Sequence, residues 1–175
     1  FGNTPWVARP SVLPLEEYAD VYVGRQARGY LETYEADEPW FCWVSFGGPH
    51  EPWDAPEPYA SMYRPEDMPA PIDSSETLDM KRLDGNLKQK VEAGAAPERL
   101  SSQDIAAMRA NYAGNVTLID DQIGEILDAI EARGELENTV IAFSSDHGEM
   151  NGDHGMIYKG HFLNGALRVP LLLRT

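Results

Sequence analysis

The longest regular pattern in the chain is a run of apolar residues, Ile105, Met108, Tyr112, Val116, Ile119, Ile123, Leu127 and Ile130, spaced at gaps of three or four. That spacing keeps one face of a helix apolar, so it predicts a long helix that covers a sheet. Ser101-Ser102-Gln103-Asp104 supplies a capping-box-like start, with Ser101 or Ser102 satisfying first-turn N–H groups, and Gly134 supplies the stop. A second helix is predicted over 14–34, where Pro14 costs no helical hydrogen bond and Glu16 and Glu17 favour the positive end of the dipole. Gly24 and Gly29 weaken its later turns. Short apolar runs at 40–46 and 140–143 read as buried strands, and 171–173 after Pro170 reads as a further sheet strand. Helix alternating with strand implies an α/β fold.

Between these elements the chain changes character. Residues 49–71 hold seven prolines, whose fixed φ angles predict an irregular loop, and Trp53, Tyr59, Met62 and Tyr63 suggest that it packs and faces a substrate rather than staying disordered. Trp53 would either line a leaving-group pocket or anchor the loop. Residues 73–97 are polar, and the basic cluster Lys81, Arg82, Lys88 and Lys90 reads as solvated surface.

Composition narrows the function. Hydrophobic content of 42% over 175 residues supports a sizeable core. A formal charge of −15 repels nucleic acid and anionic membranes, so neither is expected as a partner. An anionic substrate would then require local positive potential at its site. No segment reaches the roughly 18 consecutive apolar residues of a membrane span. One cysteine allows no intramolecular disulfide, which leaves the compartment open, and Cys42 within an apolar run reads as a small buried hydrophobe.

The candidate chemistry follows the 140–143 strand. Ligands in open α/β sheets gather at carboxyl ends of strands, where Asp146 and His147 fall. A carboxylate oxygen and a neutral imidazole nitrogen suit a divalent cation, with Gly148 allowing a tight turn; the other reading is a helix-capping Asp beside a half-buried His. His50 follows the end of the 40–46 run after Gly47-Gly48-Pro49, which would let it share a crevice with Asp146. Asp120 and Asp121 point about 100° apart on a helix, so solvent exposure or a local bond is expected of them, not a shared ion.

Several segments, in order, resemble the sulfatase family of the alkaline-phosphatase-like superfamily: Phe46-Gly47-Gly48-Pro49-His50-Glu51-Pro52-Trp53, the helix 111–124, Leu136-Glu137-Asn138-Thr139-Val140, Ser145-Asp146-His147-Gly148-Glu149, Gly152-Asp153-His154-Gly155, Tyr158-Lys159-Gly160 and Arg168-Val169-Pro170-Leu171. The likeness runs from about residue 14 to the end, apart from the polar middle. It implies a mixed, mostly parallel sheet with flanking helices, and residues 1–175 as a partial catalytic domain: 14–46 helix and strand, 47–100 loop-rich insertion, 101–175 long helix, metal-bearing strand and loop. It also implies Asp146 and His147 as metal ligands, with His147 where many relatives carry Asn. Lys159 would contact the sulfate oxygens, and His50 would bind the sulfate or assist the leaving group. His154 is weighed as a partner orienting the metal loop, His161 as a minor substrate contact, and Arg168 as a brace for the strand entrance.

The pattern also departs from the family. The Cys/Ser-x-Pro-x-Arg motif that becomes formylglycine is absent, as are two further Asp ligands. The expectation is therefore the middle of a longer enzyme, inactive by itself, whose partners are the remaining segments of the same polypeptide and a small-molecule or glycan sulfate ester. The intact enzyme would use formylglycine and a divalent metal, Ca²⁺ first. Phosphonate monoester and phosphodiester hydrolases of the same superfamily are the nearest rival, with Mn²⁺ or another transition metal better suited to His147. A catalytically silent metal-binding module is the rival from a different class.

Overall fold

The computed structural model describes residues 8–35, 38–72 and 100–175. The basic cluster at 81–90 lies outside them. The chain divides into two units, one formed by 1–64 with 110–139 and the other by 65–109 with 140–175.

In the first unit a 3-10 turn, Leu15–Glu17, leads into helix α1, Ala19–Thr33, which runs through both glycines. Helix α2, Ser102–Ala132, supplies the opposing surface from residue 110 onward. Leu31 of α1 packs with Ile126, Ala129 and Ile130 of α2, and Trp40, Val44 and Phe46 close over them. A neighbouring cluster joins Tyr18, Leu118 and Ile119, again with Phe46. Residues 40–46 alternate between packed and exposed positions, as an extended chain does, and Phe41 and Trp43 are 86% and 81% exposed. The expected buried strand is thus an extended segment covered on one face only. Strand assignment needs a hydrogen-bonded neighbour, and none flanks this segment among the described residues. Cys42 lies on the packed side and is half-buried.

The buried stripe of α2 differs from the apolar pattern. Asn111, Asn115 and Gln122 are buried on it, while Val116 is 45% exposed. One of them serves a loop: Asn111 Oδ1 accepts the Ala55 N–H at 3.1 Å, holding the proline-rich segment beside the buried Trp53, while Gln122 packs against Gly24 of α1. Trp53 is therefore an anchor. Tyr59 and Tyr63 add hydroxyl bonds to Asp121 at 2.6 Å and Thr117 at 2.9 Å. Asp121 is exposed and takes its bond from the Tyr59 hydroxyl, and Asp120 is exposed.

The end of α2 is fixed by Gly134 at φ 71°, with Gly134 N–H donating to Glu131 O and Glu135 N–H to Ile130 O. Arg133 donates to Leu31 O and Tyr34 O, both at 2.7 Å, and forks onto Glu135. Glu135 also accepts the Trp40 indole N–H at 2.9 Å.

The second unit begins α2 with a capping box: Ser101 Oγ accepts the Asp104 N–H at 3.1 Å and Asp104 Oδ2 accepts the Ser101 N–H at 2.8 Å. Strand β1, Ile141–Ser144, pairs antiparallel with β2, Leu171–Arg174, in the register Ile141 to Arg174 and Ser144 to Leu171. Expected buried, β1 is mostly exposed, because its one neighbour among the described residues covers an edge and not a face. A 3-10 turn, Asp153–Gly155, and the short helix α3, Asn164–Leu167, lie between the strands. Met108, Met150, Met156, Ile157 and Ala166 form the buried apolar residues here.

Candidate active site

The chain leaves β1 at Ser144 and turns outward at once. Ser145 Oγ donates to His147 O at 2.7 Å, and Asp146 Oδ1 accepts the His147 N–H at 2.9 Å. The Asp146 side chain is 84% exposed, and its Oδ2 stands 3.5 Å from His147 Nε2. His147 Nδ1 lies 3.0 Å from Gly148 O. A carbonyl only accepts, so the tautomer with the proton on Nδ1 would satisfy this contact and present the Nε2 lone pair that a metal requires.

Two donors 3.5 Å apart match two ligands of one cation, since metal–ligand bonds of about 2.0–2.5 Å at near-tetrahedral or octahedral angles separate ligand atoms by roughly 3–3.5 Å. The open side of Asp146 leaves room for the ion. Among the described residues no third His, Cys, Asp or Glu joins them, so other ligands would have to complete the shell. The helix-capping alternative does not occur: Asp146 bonds within its own turn, and no helix starts there.

The following loop folds onto itself. Gly148 N–H donates to Ala166 O at 2.8 Å, and a Cβ at Gly148 would collide with Gly165 O. Met150 N–H donates to Tyr158 O at 3.2 Å, while Glu149 Oε1 accepts the N–H groups of Asn151 and Tyr158. This carboxylate therefore fixes the residue before Lys159. The Lys159 ammonium sits 5.8 Å from the centre of the Tyr158 ring. Arg109 of α2 braces the loop by donating to Asn151 O at 2.8 Å, Pro69 O at 2.7 Å and Asp153 at 2.6 Å, and Asp153 also accepts the Ile72 N–H.

Glu149, Arg109 and Asp153 were not singled out by sequence reasoning, although Glu149 and Asp153 stand inside the matching motifs. His154 contributes its backbone N–H, bonded to Ile72 O at 2.7 Å, in a positive-φ conformation. His161 Nδ1 accepts the Leu163 N–H at 3.4 Å, and Arg168 is exposed, its backbone N–H closing α3 on Asn164 O.

His50 belongs to the first unit. Its ring is 44% exposed, with Nδ1 3.0 Å from both Glu51 Oε2 and Glu51 O. Gly47 and Gly48 N–H groups both donate to Asp20 Oδ1, at 2.9 and 3.1 Å. Beneath this turn burial raises the Asp54 carboxyl above its ordinary pKa, and burial followed by the neighbouring Asp54 and Asp20 charges raises the Tyr18 hydroxyl. Two clefts are formed within single units. One of about 530 Å³ in the first is lined by Glu16, Tyr59, Asp121 and Glu125, and one of about 310 Å³ in the second by Met150, His154, Phe162 and Asn164. Asp146, His147, Lys159 and His50 line neither. Asp146 is exposed and His147 half-buried.

The donor pair follows a strand end and precedes a lysine-bearing return loop within one unit of a mixed helix-and-strand chain. The sulfatase family model matches residues 3–175, and the chain belongs to the sulfatase family. It is 32% identical to an arylsulfatase of Clostridium perfringens over 168 residues, 96% of this chain and 34% of that protein. It is equally 32% identical to the multifunctional alkaline phosphatase superfamily protein PehA of Trinickia caryophylli, covering 95% of this chain and 34% of that one. The phosphonate monoester hydrolase of Agrobacterium radiobacter superposes with a TM-score of 0.77 at 31% identity, over 94% of this chain and 34% of that one. The chain thus spans about a third of the length of these relatives. The fold is the alkaline-phosphatase-like α/β fold, in which the antiparallel β1–β2 pair is compatible with a mixed sheet.

Proposed function

We propose that the protein containing this chain is a sulfuric ester hydrolase that converts a sulfate ester and water into an alcohol and sulfate. The observation that carries the reading is the Asp146–His147 donor pair at 3.5 Å, at a strand end and ahead of a folded lysine loop. Asp146 and His147 would hold a divalent metal, Ca²⁺ in the first instance, which would supply Lewis-acid stabilisation of the charge that develops on the ester. Lys159 binds the ester's nonbridging oxygens and supplies the positive charge that a chain of net charge −15 needs around an anion. His50 donates a proton to the departing alkoxide or phenoxide oxygen as the S–O bond breaks. The nucleophile is a formylglycine hydrate contributed by a segment other than these residues.

A second reading has its own support. The imidazole ligand suits a transition metal, and the likeness to a phosphonate monoester hydrolase is as strong as that to the arylsulfatase. The deciding experiment measures kcat/KM of the full-length protein on an aryl sulfate, a phosphate diester and a phosphonate monoester, after chelation and reloading with Ca²⁺ or Mn²⁺. A sulfate ester preferred by about 100-fold or more, some 2.7 kcal/mol of transition-state discrimination, supports the sulfatase. Preference for the phosphonate, with Mn²⁺, replaces it by the second reading. No turnover of any ester, with metal still bound, leaves a metal-binding module.

A further inference from the structure

We infer that Asp20 is a positioning residue for His50, holding the turn that aims its imidazole at the leaving group. The inference rests on the proposed role of His50 and adds a residue that no sequence motif flagged.

Asp20 is the second residue of α1 and is only 2% exposed, an unusual place for a carboxylate. Burying such a group is costly unless it is hydrogen-bonded, and its Oδ1 takes the N–H groups of Gly47 and Gly48 together. Two charge-assisted bonds from consecutive amides fix both the place and the tilt of that peptide. The other oxygen, Oδ2, and the amide of Asn115, itself 3% exposed on α2, fill the space a Gly48 side chain would need. The turn is thereby wedged between side chains of two helices whose own packing is set by the Leu31 and Leu118 clusters.

His50 lies two residues beyond Gly48, a short step along the chain from the anchored amide, and the intervening Pro49 has a restricted φ. The ring is 44% exposed and its Nδ1 lies 3.0 Å from Glu51 O and Glu51 Oε2, contacts made to the next residue of the same turn. Its position is inherited from the turn. A general acid displaced by about 1 Å loses on the order of 100-fold in rate, which is why a buried anchor at this point matters to the chemistry and not only to the fold.

Leaving-group dependence tests this. A 4-nitrophenolate departs with little help, whereas an unsubstituted phenolate needs the proton. In the full-length protein D20N keeps the shape and one acceptor oxygen but loses the charge. It is expected to lower kcat for phenyl sulfate about 10- to 100-fold and for 4-nitrophenyl sulfate less than about threefold, with KM nearly unchanged. His50→Ala should show the same asymmetry, and D20N added to it should cost no more than about a further twofold. Equal losses on both esters, or losses that multiply with His50→Ala, overturn the inference. Asn115→Ala, which removes the second side chain against Gly48 and keeps the carboxylate, should give the same asymmetry more weakly if D20N does not fold.

Imidazole NMR of histidine-labelled protein provides a readout independent of turnover. D20N should shift or broaden the His50 ring signal and leave those of His147, His154 and His161 in place; an unchanged His50 signal overturns the inference. If wild-type protein hydrolyses no ester, the proposed reaction fails, while a displaced His50 signal still supports the anchoring by Asp20.

Discussion

The turn carrying His50 and the loop carrying Asp146, His147 and Lys159 are held by opposite strategies. The loop is tied mainly to itself: its bonds run from Gly148 to Ala166, Met150 to Tyr158 and Gly152 to Met156, and Glu149 closes it from within. The His50 turn is held from a distance, by an Asp20 carboxylate 27 and 28 residues away in sequence and by an asparagine on α2. Arg109 of α2 and Ile72 add braces to the loop from outside. A remotely anchored turn depends on helix packing, and its fidelity is a property of the whole unit.

The largest effect should come from the loop's exposed end. Asp146→Ala or His147→Ala in the full-length protein is expected to abolish stoichiometric metal by elemental analysis and to lower kcat by roughly 10³-fold or more, without moving the thermal midpoint in the metal-free state. Retention of full metal content would detach this pair from the ion. Next, Gly148→Ala forces a Cβ onto Gly165 O and should cost about 1–3 kcal/mol in denaturant unfolding, together with metal affinity. A neutral result would show the loop to be looser than its close approach implies.

On the remotely held side, Asn111→Ala strands the Ala55 N–H and should cost about 1–3 kcal/mol while leaving metal content intact. That separation of stability from metal binding sharpens the contrast. The smallest effect belongs to the capping box, where Ser101→Ala should cost about 1 kcal/mol. The Ser101 hydroxyl and then its N–H hold the Asp104 carboxyl below the ordinary carboxylate range. A lowered folded pKa gives stability that is present above the unfolded value and lost as pH falls through the folded one. The wild-type advantage over Ser101→Ala should therefore shrink below about pH 4.

This contrast also explains what the sequence disclosed. The capping box, the Gly134 stop and the long helix follow from local spacing and turn chemistry, which neighbouring residues suffice to encode, whereas the antiparallel pairing of β1 with β2 joins residues about thirty apart and does not follow from either apolar run. The mutual contact of Asp146 and His147 was legible because both lie in the same short motif. Asp20 was not, since an acidic residue in a first helical turn already has a sufficient reason in the dipole, and nothing nearby reveals that its oxygens reach a distant turn. Asn111, Asn115 and Gln122 were passed over because an apolar-periodicity argument counts them as exposed, although polar side chains that satisfy loop amides belong on a buried face. The 40–46 and 140–143 segments read as buried because their residues are apolar. Burial depends on what covers both faces, and the described residues cover one face of the first and little of the second.

Arg133 has a dynamic consequence. One guanidinium holds carbonyls at the end of α1, of Leu31 and of the capping residue Tyr34, while standing directly after the last residue of α2 and gripping Glu135. Helix ends ordinarily fray independently, each with its own small opening free energy. Here either end can open only by releasing the same side chain, so amide protons in the two terminal turns should exchange with solvent at a common rate, as one cooperative unit. Replacing Arg133 with Gln would let the two rates separate, turning a single opening event into two.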